Sequence, residues 1–473
     1  MDHPNKQESL SGSLGLLSIV FMVIATAAPL TVMVAVTPLI ITLGNGGGVV
    51  FDILTATIIM LLFSIGFVSM AKYIDNAGAF YAFIQKGLGR AIGLGSASLA
   101  WISYFFILIA LEAYIGVALA DLLKSFLGVE IPWWILSLSI ISIVAYLGYR
   151  HIELSSKFLG VALVAEIGVV LIIDFLFFQR NGVTALTPSA FSIDVISSGS
   201  IGLGIMFAIF GFIGFESTVI FREEAKDPQK TIPRATYLAV ILVGLFYCIS
   251  TWCLVSIVGT DKIMAFTSEH GESSYLLVAE QYLGKVFTDV ILVLLVTSLF
   301  ACILSLHNVV VRYQYVLGKY GVLPTVLSKV HVKHNSPYMS SAIQSASSFI
   351  LLTILILLSW DPVANIYTWG ASAGTLGYMF ILSLTCISVI VFFIKNKEGN
   401  FWKTFVAPVL GLLGLLFCLG MAIINLPTLV GDSIAVAKVV GFVLIGTFLF
   451  GMLIANLMKA KSPQKFERLK ELA

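Results

Sequence analysis

Charge is what this sequence has least of. Asp, Glu, Lys and Arg make up 11% of its 473 residues, less than half the roughly 25% of an ordinary soluble domain. Mean hydropathy is +1.02. Together these exclude a soluble globular enzyme. The net charge of +2 is too small, and the basic residues too dispersed, for nucleic-acid recognition. No G-x-x-x-x-G-K-[ST] segment occurs, so a nucleotide-driven motor is excluded and any work the chain does draws on an ion gradient or on exchange. Gly44-Asn45-Gly46-Gly47-Gly48 is glycine-rich but lacks the strand and the Lys-Ser/Thr of a phosphate loop, and reads as a tight, flexible helix connection. The five cysteines, Cys248, Cys253, Cys302, Cys386 and Cys418, all fall in apolar segments, where a free thiol acts as a small hydrophobe. His331 and His334 are three apart with no Cys or carboxylate nearby to complete a zinc tetrahedron. No disulfide framework, metal or cofactor is expected.

What the sequence has in abundance is apolar length. A hydrocarbon core about 30 Å thick takes roughly 20 apolar residues per helix. Apolar runs between polar or turn-rich boundaries place spans at 14–43, 49–71, 91–123, 133–149, 158–178, 200–221, 235–258, 284–318, 340–359, 362–394, 402–426 and 434–458. Met1–Ser13 is polar and the apolar run behind it is longer than a signal-peptide core, so the first helix stays as an anchor. With the N-terminus in the cytoplasm, only Lys124, Arg180, Lys262, Lys285 and Lys438 fall outside, leaving 22 of the 27 basic residues inside. Cytoplasmic loops are the ones enriched in Lys and Arg. The expectation is one all-α integral membrane domain in the cell membrane, twelve spans, both termini cytoplasmic, with mobile polar tails at 1–13 and 459–473.

Two of these spans are interrupted. The first holds Ala25-Thr26-Ala27-Ala28-Pro29 and a second proline, Pro38. Proline removes a backbone donor and clashes with the preceding turn, so a break is expected near Thr26–Pro29. The sixth holds Phe210-Gly211-Phe212-Ile213-Gly214-Phe215-Glu216, and its two glycines predict a break at Gly211–Gly214. On the derived topology these spans run in opposite directions, five helices apart. Paired interruptions in inverted halves point to a transporter binding site. Unwound backbone at membrane depth survives only where protein or a cavity satisfies it. Prolines and glycines are also commoner in membrane helices generally, so a kink or a packing notch is the competing reading of each break.

Gly214-Phe215-Glu216-Ser217, then Glu223-Glu224-Ala225-Lys226-Asp227-Pro228-Gln229-Lys230-Thr231-Ile232-Pro233-Arg234-Ala235, resembles the signature of the amino acid–polyamine–organocation (APC) superfamily of permeases after helix six. Asn76-Ala77-Gly78-Ala79-Phe80-Tyr81 with Gly87-Leu88-Gly89, and Asn308 through Arg312 with Tyr315, Leu317-Gly318, Gly321 and Pro324, are similar to further family stretches. The resemblance covers the first ten spans. It implies a leucine-transporter-type fold with a five-plus-five inverted repeat, 14–178 and 200–394, and two added peripheral helices within 402–458. It also implies uptake or exchange of amino acids or related amines. Two departures stand out: Ala-Thr-Ala-Ala-Pro replaces a glycine-rich helix-one break, and Glu166 falls near the place where many members carry a helix-five lysine.

An ionisable group deep in a bilayer costs at least about 2.5–3.5 kcal/mol, which singles out Glu112, Glu166, Asp174, Glu216 and His307. Glu216 matches an acidic position that the family's arginine/agmatine and putrescine exchangers use near substrate; the bland alternative is a carboxylate holding helix-six backbone N–H groups. Glu166 is a candidate protonatable switch or a structural hydrogen bond, and Glu112 a candidate partner for an organic cation. Phe210 aligns with an aromatic gate in the exchangers, where a ring face covers an amine, although packing is equally natural for it. The substrate-binding candidates are therefore Ala25, Thr26, Ala27, Ala28, Pro29, Phe210, Gly211, Phe212, Ile213 and Gly214, with Glu216, Glu166 and Glu112 for proton coupling or amine binding. The leading expectation is a permease for an amino acid, coupled to protons or exchanging, with sodium also open. A polyamine or organic-amine permease is the runner-up, a transporter-like nutrient sensor is less favoured, and an enzyme lacks a nucleophile or metal constellation.

Overall fold

The computed structural model describes residues 14–74, 80–150, 156–182, 185–220, 225–331 and 336–472. The N-terminal tail, Asn76–Ala79, Glu223, Glu224 and His334 lie outside the described residues. The chain is helical, with no named strand among the described residues. Its principal helices are α1 (Leu16–Ala27), α2 (Val49–Ala71), α3 (Phe80–Leu88), α4 (Arg90–Leu127), α5 (Trp133–Tyr149), α6 (Ser156–Asn181), α7 (Ile201–Phe210) and α8 (Pro228–Val258). They continue with α9 (Ile263–His270), α10 (Ser273–Leu283), α11 (Lys285–Lys319), α12 (Tyr338–Leu357), α13 (Thr368–Asn396), α14 (Ala407–Ile424) and α15 (Ile434–Lys461).

Among the described residues nine helical stretches are long and apolar enough to cross a membrane, fewer than the twelve spans read from the sequence. The difference has a local cause. The apolar stretch Leu16–Ala71 counts as a single candidate span yet contains two of the expected spans, separated where Gly44 leaves helical geometry and Gly46 takes a positive φ of 58°. Two more expected spans are short apolar helices, α5 and α7. The Gly44–Gly48 connection is buried rather than a free loop: a Cβ on Gly44 would meet the Gly204 backbone at 2.7 Å and one on Gly47 the Thr260 carbonyl at 2.8 Å. Beyond the first break, Pro38 has no N–H to give the preceding turn, and the backbone widens into five-residue bonding at Val32–Val36 and Ile40–Asn45.

The long helix α4 is the spine, packing against α3, α5, α11, α13 and α15. It meets α13 closely because Gly370 and Gly374 face it: a Cβ on Gly374 would lie 2.8 Å from the Ser103 carbonyl, and one on Gly370 2.8 Å from that of Phe106. Without a hydrophobic drive between helices in lipid, such close van der Waals approach is what holds them. Helix α2 lies against α7, α8, α13 and α14. The outward faces of α14 and α15 carry exposed Leu413, Phe417, Phe442 and Ile445, the surface a bilayer covers.

Past Lys461 the chain does not trail freely as expected. Leu469 is fully buried in a small cluster with Leu94, Ala97, Leu317, Val322 and Ala455. Arg90 pairs with Glu467 at 2.8 Å, lies over the Phe466 ring and donates to the Phe466 carbonyl. The Arg90 hydrogen bond, followed by that from Lys470, holds the Glu467 carboxyl down at about 2.

Gly374→Ala should cost about 1–3 kcal/mol by overpacking and lower the melting temperature in detergent, whereas Gly420→Ala, with open space around it, should leave it unchanged. Because the Glu467 carboxyl is depressed below its ordinary value of about 4.3, its grip on Arg90 should be complete above that pH and fade as pH falls toward 2. A spin label at Gln464 should become mobile over that interval, and in Glu467→Gln already at neutral pH.

Candidate functional site

The first break falls where the sequence suggested. Helix α1 ends at Ala28, whose φ of 47° and ψ of 66° are left-handed, a conformation costing a non-glycine residue roughly 1–2 kcal/mol. Pro29 then opens the next helical turn, with its missing N–H at a position where no helical partner exists anyway. In the sixth span α7 stops at Phe210, and Gly211–Glu216 continue as turns before a four-residue helix, Ser217–Ile220. Gly214 has a φ of 107°.

The two interruptions meet. A Cβ on Gly214 would stand 2.7 Å from Thr26 Cγ2, so glycine is required there by contact as well as by dihedral angle. Gly211 approaches Val32 in the same manner. Ala25, Thr26, Ala27, Ile213 and Glu216 keep part of their surface accessible, whereas Ala28, Pro29 and Leu30 are buried. Phe210 and Phe212 are both buried at 8% and 1% exposure, and Phe212 meets Tyr247 edge to face. Both sit within the packed core.

Glu216 is held by three donors. Its Oε1 accepts from Tyr104 Oη at 2.6 Å, and its Oε2 from the Gly214 amide at 2.9 Å and Tyr378 Oη at 3.2 Å. The carboxylate thereby stands in for the helical carbonyl that Gly214 N–H has lost. Tyr247 Oη donates to the Gly211 carbonyl at 3.2 Å, satisfying the acceptor side of the same break. Tyr104 comes from α4, Tyr378 from α13 and Tyr247 from α8, so three helices brace one turn.

Glu166, on α6, braces the other break. Its Oε2 accepts from Ser298 Oγ at 2.9 Å, Ser298 Oγ in turn accepts from Thr31 Oγ1 at 3.3 Å, and the Leu30 backbone amide also bonds to the carboxylate. Leu30 and Thr31 begin the helical half beyond Ala28, where free N–H groups and the helix dipole favour an anion. An acid therefore caps this helix start from the place where the resemblance implied a lysine.

Glu112 is not brought to the breaks. It is 1% exposed, leans on Ser348 of α12 and leaves Oε2 without a partner. Asp174 accepts from Ser250 Oγ at 2.6 Å, tying α6 to α8. His307 is hydrogen-bonded to Ser341 Oγ at 3.1 Å inside the core. Among the described residues no ion pair involves Glu112, Glu166, Asp174 or Glu216. Sequence reasoning missed Tyr104, Tyr247, Tyr378, Ser298 and Thr31. A hydroxyl in an apolar helix is the signal they share, but many serines and threonines here bond only to their own helix, as Ser64 does to Met60.

Interrupted membrane helices that close on one another are a feature of membrane transporters. The chain belongs to the amino acid permease family, whose pattern matches residues 18–468. It is 22% identical over 402 residues to the branched-chain amino acid permease BcaP of Bacillus subtilis, covering 80% of this chain and 81% of that protein. It is 22% identical to the gamma-aminobutyric acid permease of Escherichia coli, over 75% of each chain. To the low-affinity putrescine importer PlaP of Escherichia coli it is 23% identical, over 74% of each.

Tyr104→Phe removes the donor to Glu216 Oε1, and a hydrogen bond to a charged group is worth about 1.5–3 kcal/mol. Its melting temperature should fall accordingly. In a double-mutant cycle with Glu216→Gln the two losses should be non-additive, since they share one interaction.

Proposed function

We propose that this chain is a secondary permease that moves a small solute bearing an ammonium group across the cytoplasmic membrane by alternating access. In this reading the polypeptide crosses twelve times in two inverted halves, with the Thr26–Gly214 contact at the centre. The observation that carries the proposal is the Glu216 carboxylate at the junction of the two breaks, held by hydroxyl and amide donors and, among the described residues, in no ion pair with a lysine or arginine. The C-terminal end of α1, whose last carbonyls have no helical partners and whose dipole is negative there, adds to the attraction for a cation.

Between the two solute classes of the family, the geometry favours an amine without a carboxylate. A substrate carboxylate would seek the free amides at the start of the helix beyond Ala28, and Glu166 already engages Leu30 there. The amino acid reading draws its support from the branched-chain and gamma-aminobutyric acid relatives and requires Glu166 to yield that position. Protonation of Glu166 would do so, converting an acceptor of Leu30 N–H into a donor and loosening the half-helix. Substrate binding would thereby be linked to proton movement.

Competition for uptake into reconstituted vesicles separates the readings. Carboxylate-free amines should compete at least tenfold better than the matching amino acids, about 1.4 kcal/mol of discrimination; the reverse order overturns the amine reading. Glu216→Gln should weaken every ammonium ligand alike. Glu166→Gln should flatten the pH dependence of uptake, and an unchanged profile in both variants would remove carboxylate-based proton coupling.

A further inference from the structure

Asp52 is an acid that neither break uses. It lies on the first turn of α2, is 0% exposed, and neither of its carboxylate oxygens has a hydrogen-bond partner. Among the described residues it is in no ion pair. The packing around it is close: a Cβ on Gly204 of α7 would collide with its Oδ2, and one on Gly44 would stand 3.4 Å from the same atom. The α2 dipole favours an anion at this helix start. A buried carboxylate whose hydrogen bonds are all unmade is nevertheless expensive.

Two more buried oxygens in this corner are unmatched. Asn45 folds back over the start of α2, with Oδ1 2.9 Å from where a Cβ on Gly48 would stand, one helical turn before Asp52. Its Nδ2 donates to the Ile196 carbonyl at 2.9 Å, while Oδ1 accepts nothing. Ser200 Oγ is likewise buried without a partner. The Ser200 backbone is fixed at the same place: its amide donates to the Gly44 carbonyl at 2.9 Å, and its carbonyl accepts at 3.0 Å from the amide of Gly204, the residue that covers Asp52. The unmatched atoms are thus two carboxylate oxygens, an amide oxygen and a hydroxyl, and only the hydroxyl can donate. A proton on Asp52 would cancel the charge but add one donor among several acceptors. A hard cation takes oxygen ligands of all these kinds together, and a single carboxylate balances a single positive charge.

We propose that Asp52, Asn45 Oδ1 and Ser200 Oγ form a binding site for a sodium ion. The ion would tie the start of α2 to the start of α7, the helix that ends at the second break, so its binding bears on how that half-helix sits. The site is separate from Glu216 and Glu166 and does not depend on which solute the permease carries.

Binding of radioactive sodium to the purified full chain tests it, alongside melting temperatures in sodium, potassium and choline chloride at equal ionic strength. Wild type should bind sodium saturably and melt higher in sodium than in the other two salts. Asp52→Asn keeps the shape and removes the charge; it should weaken sodium binding at least ~tenfold and abolish the sodium-specific rise. Ser200→Ala should weaken binding by a smaller factor, which keeps the proposal open to test if the aspartate variant does not fold. Asp194→Asn, an exposed acid in the segment before α7, should change nothing. Equal melting temperatures in the three salts, or sodium binding that survives unchanged in Asp52→Asn and Ser200→Ala, overturns the proposal. So does stabilisation by acid alone in wild type but not in Asp52→Asn, with no sodium bound, which would make Asp52 a proton site.

Discussion

Backbone polarity inside a bilayer is the constraint on which the rest of this structure depends. At Ala28 and at Gly211–Glu216 the helical hydrogen-bond ladder is interrupted, and lipid offers no replacement partners. Protein groups supply them instead: Glu216 for the Gly214 amide, Tyr247 for the Gly211 carbonyl, and Glu166 for the amide of Leu30. Tyr247 comes from α8 and Glu166 from α6, while Glu216 belongs to the interrupted turn and is itself held from two further helices, so the breaks also set which helices must converge. Tyr104 of α4 and Tyr378 of α13 reach Glu216, and the glycine contacts between α4 and α13 bring those two tyrosines within range of a single carboxylate.

That dependence gives the two acids different characters. Glu216 is partly exposed as a residue, while its carboxylate is enclosed by three donors. Glu166 is buried at 4% exposure and reaches the first break through Ser298, Thr31 and Leu30. A change in its charge acts on the half-helix itself. The competing reading of Glu216 as a holder of helix-six amides therefore describes the same geometry as the functional one. A carboxylate that replaces a lost helical acceptor beside a partly exposed break has the geometry that both readings require.

Much of the architecture was legible because bilayer thickness imposes a length on every apolar run. The breaks were legible too, since Pro29 and the Gly211/Gly214 pair violate helix propensity where the pattern is otherwise uniform. The span count was less so: one apolar stretch runs through Gly44–Gly48 even though helical geometry is lost at Gly44, and α5 and α7 are shorter than a span's length suggests. Glu112, Glu166 and Glu216 were indistinguishable as sequence, each an acid amid apolar neighbours. Helix rotation sent Glu112 to Ser348 of α12 and the other two to the breaks.

The sequence by itself determined that this is a multi-span membrane protein, which spans break, and which family its loop motif resembles. These follow from local quantities: hydropathy over a span, the missing N–H of proline, the absent Cβ of glycine. Tertiary structure decided what each buried polar group does. Only packing brings Thr26 against Gly214, sets three tyrosine hydroxyls around one broken turn, and docks Leu469 under α4. Those juxtapositions depend on helix rotation and separation in space, and no local property of the sequence encodes either.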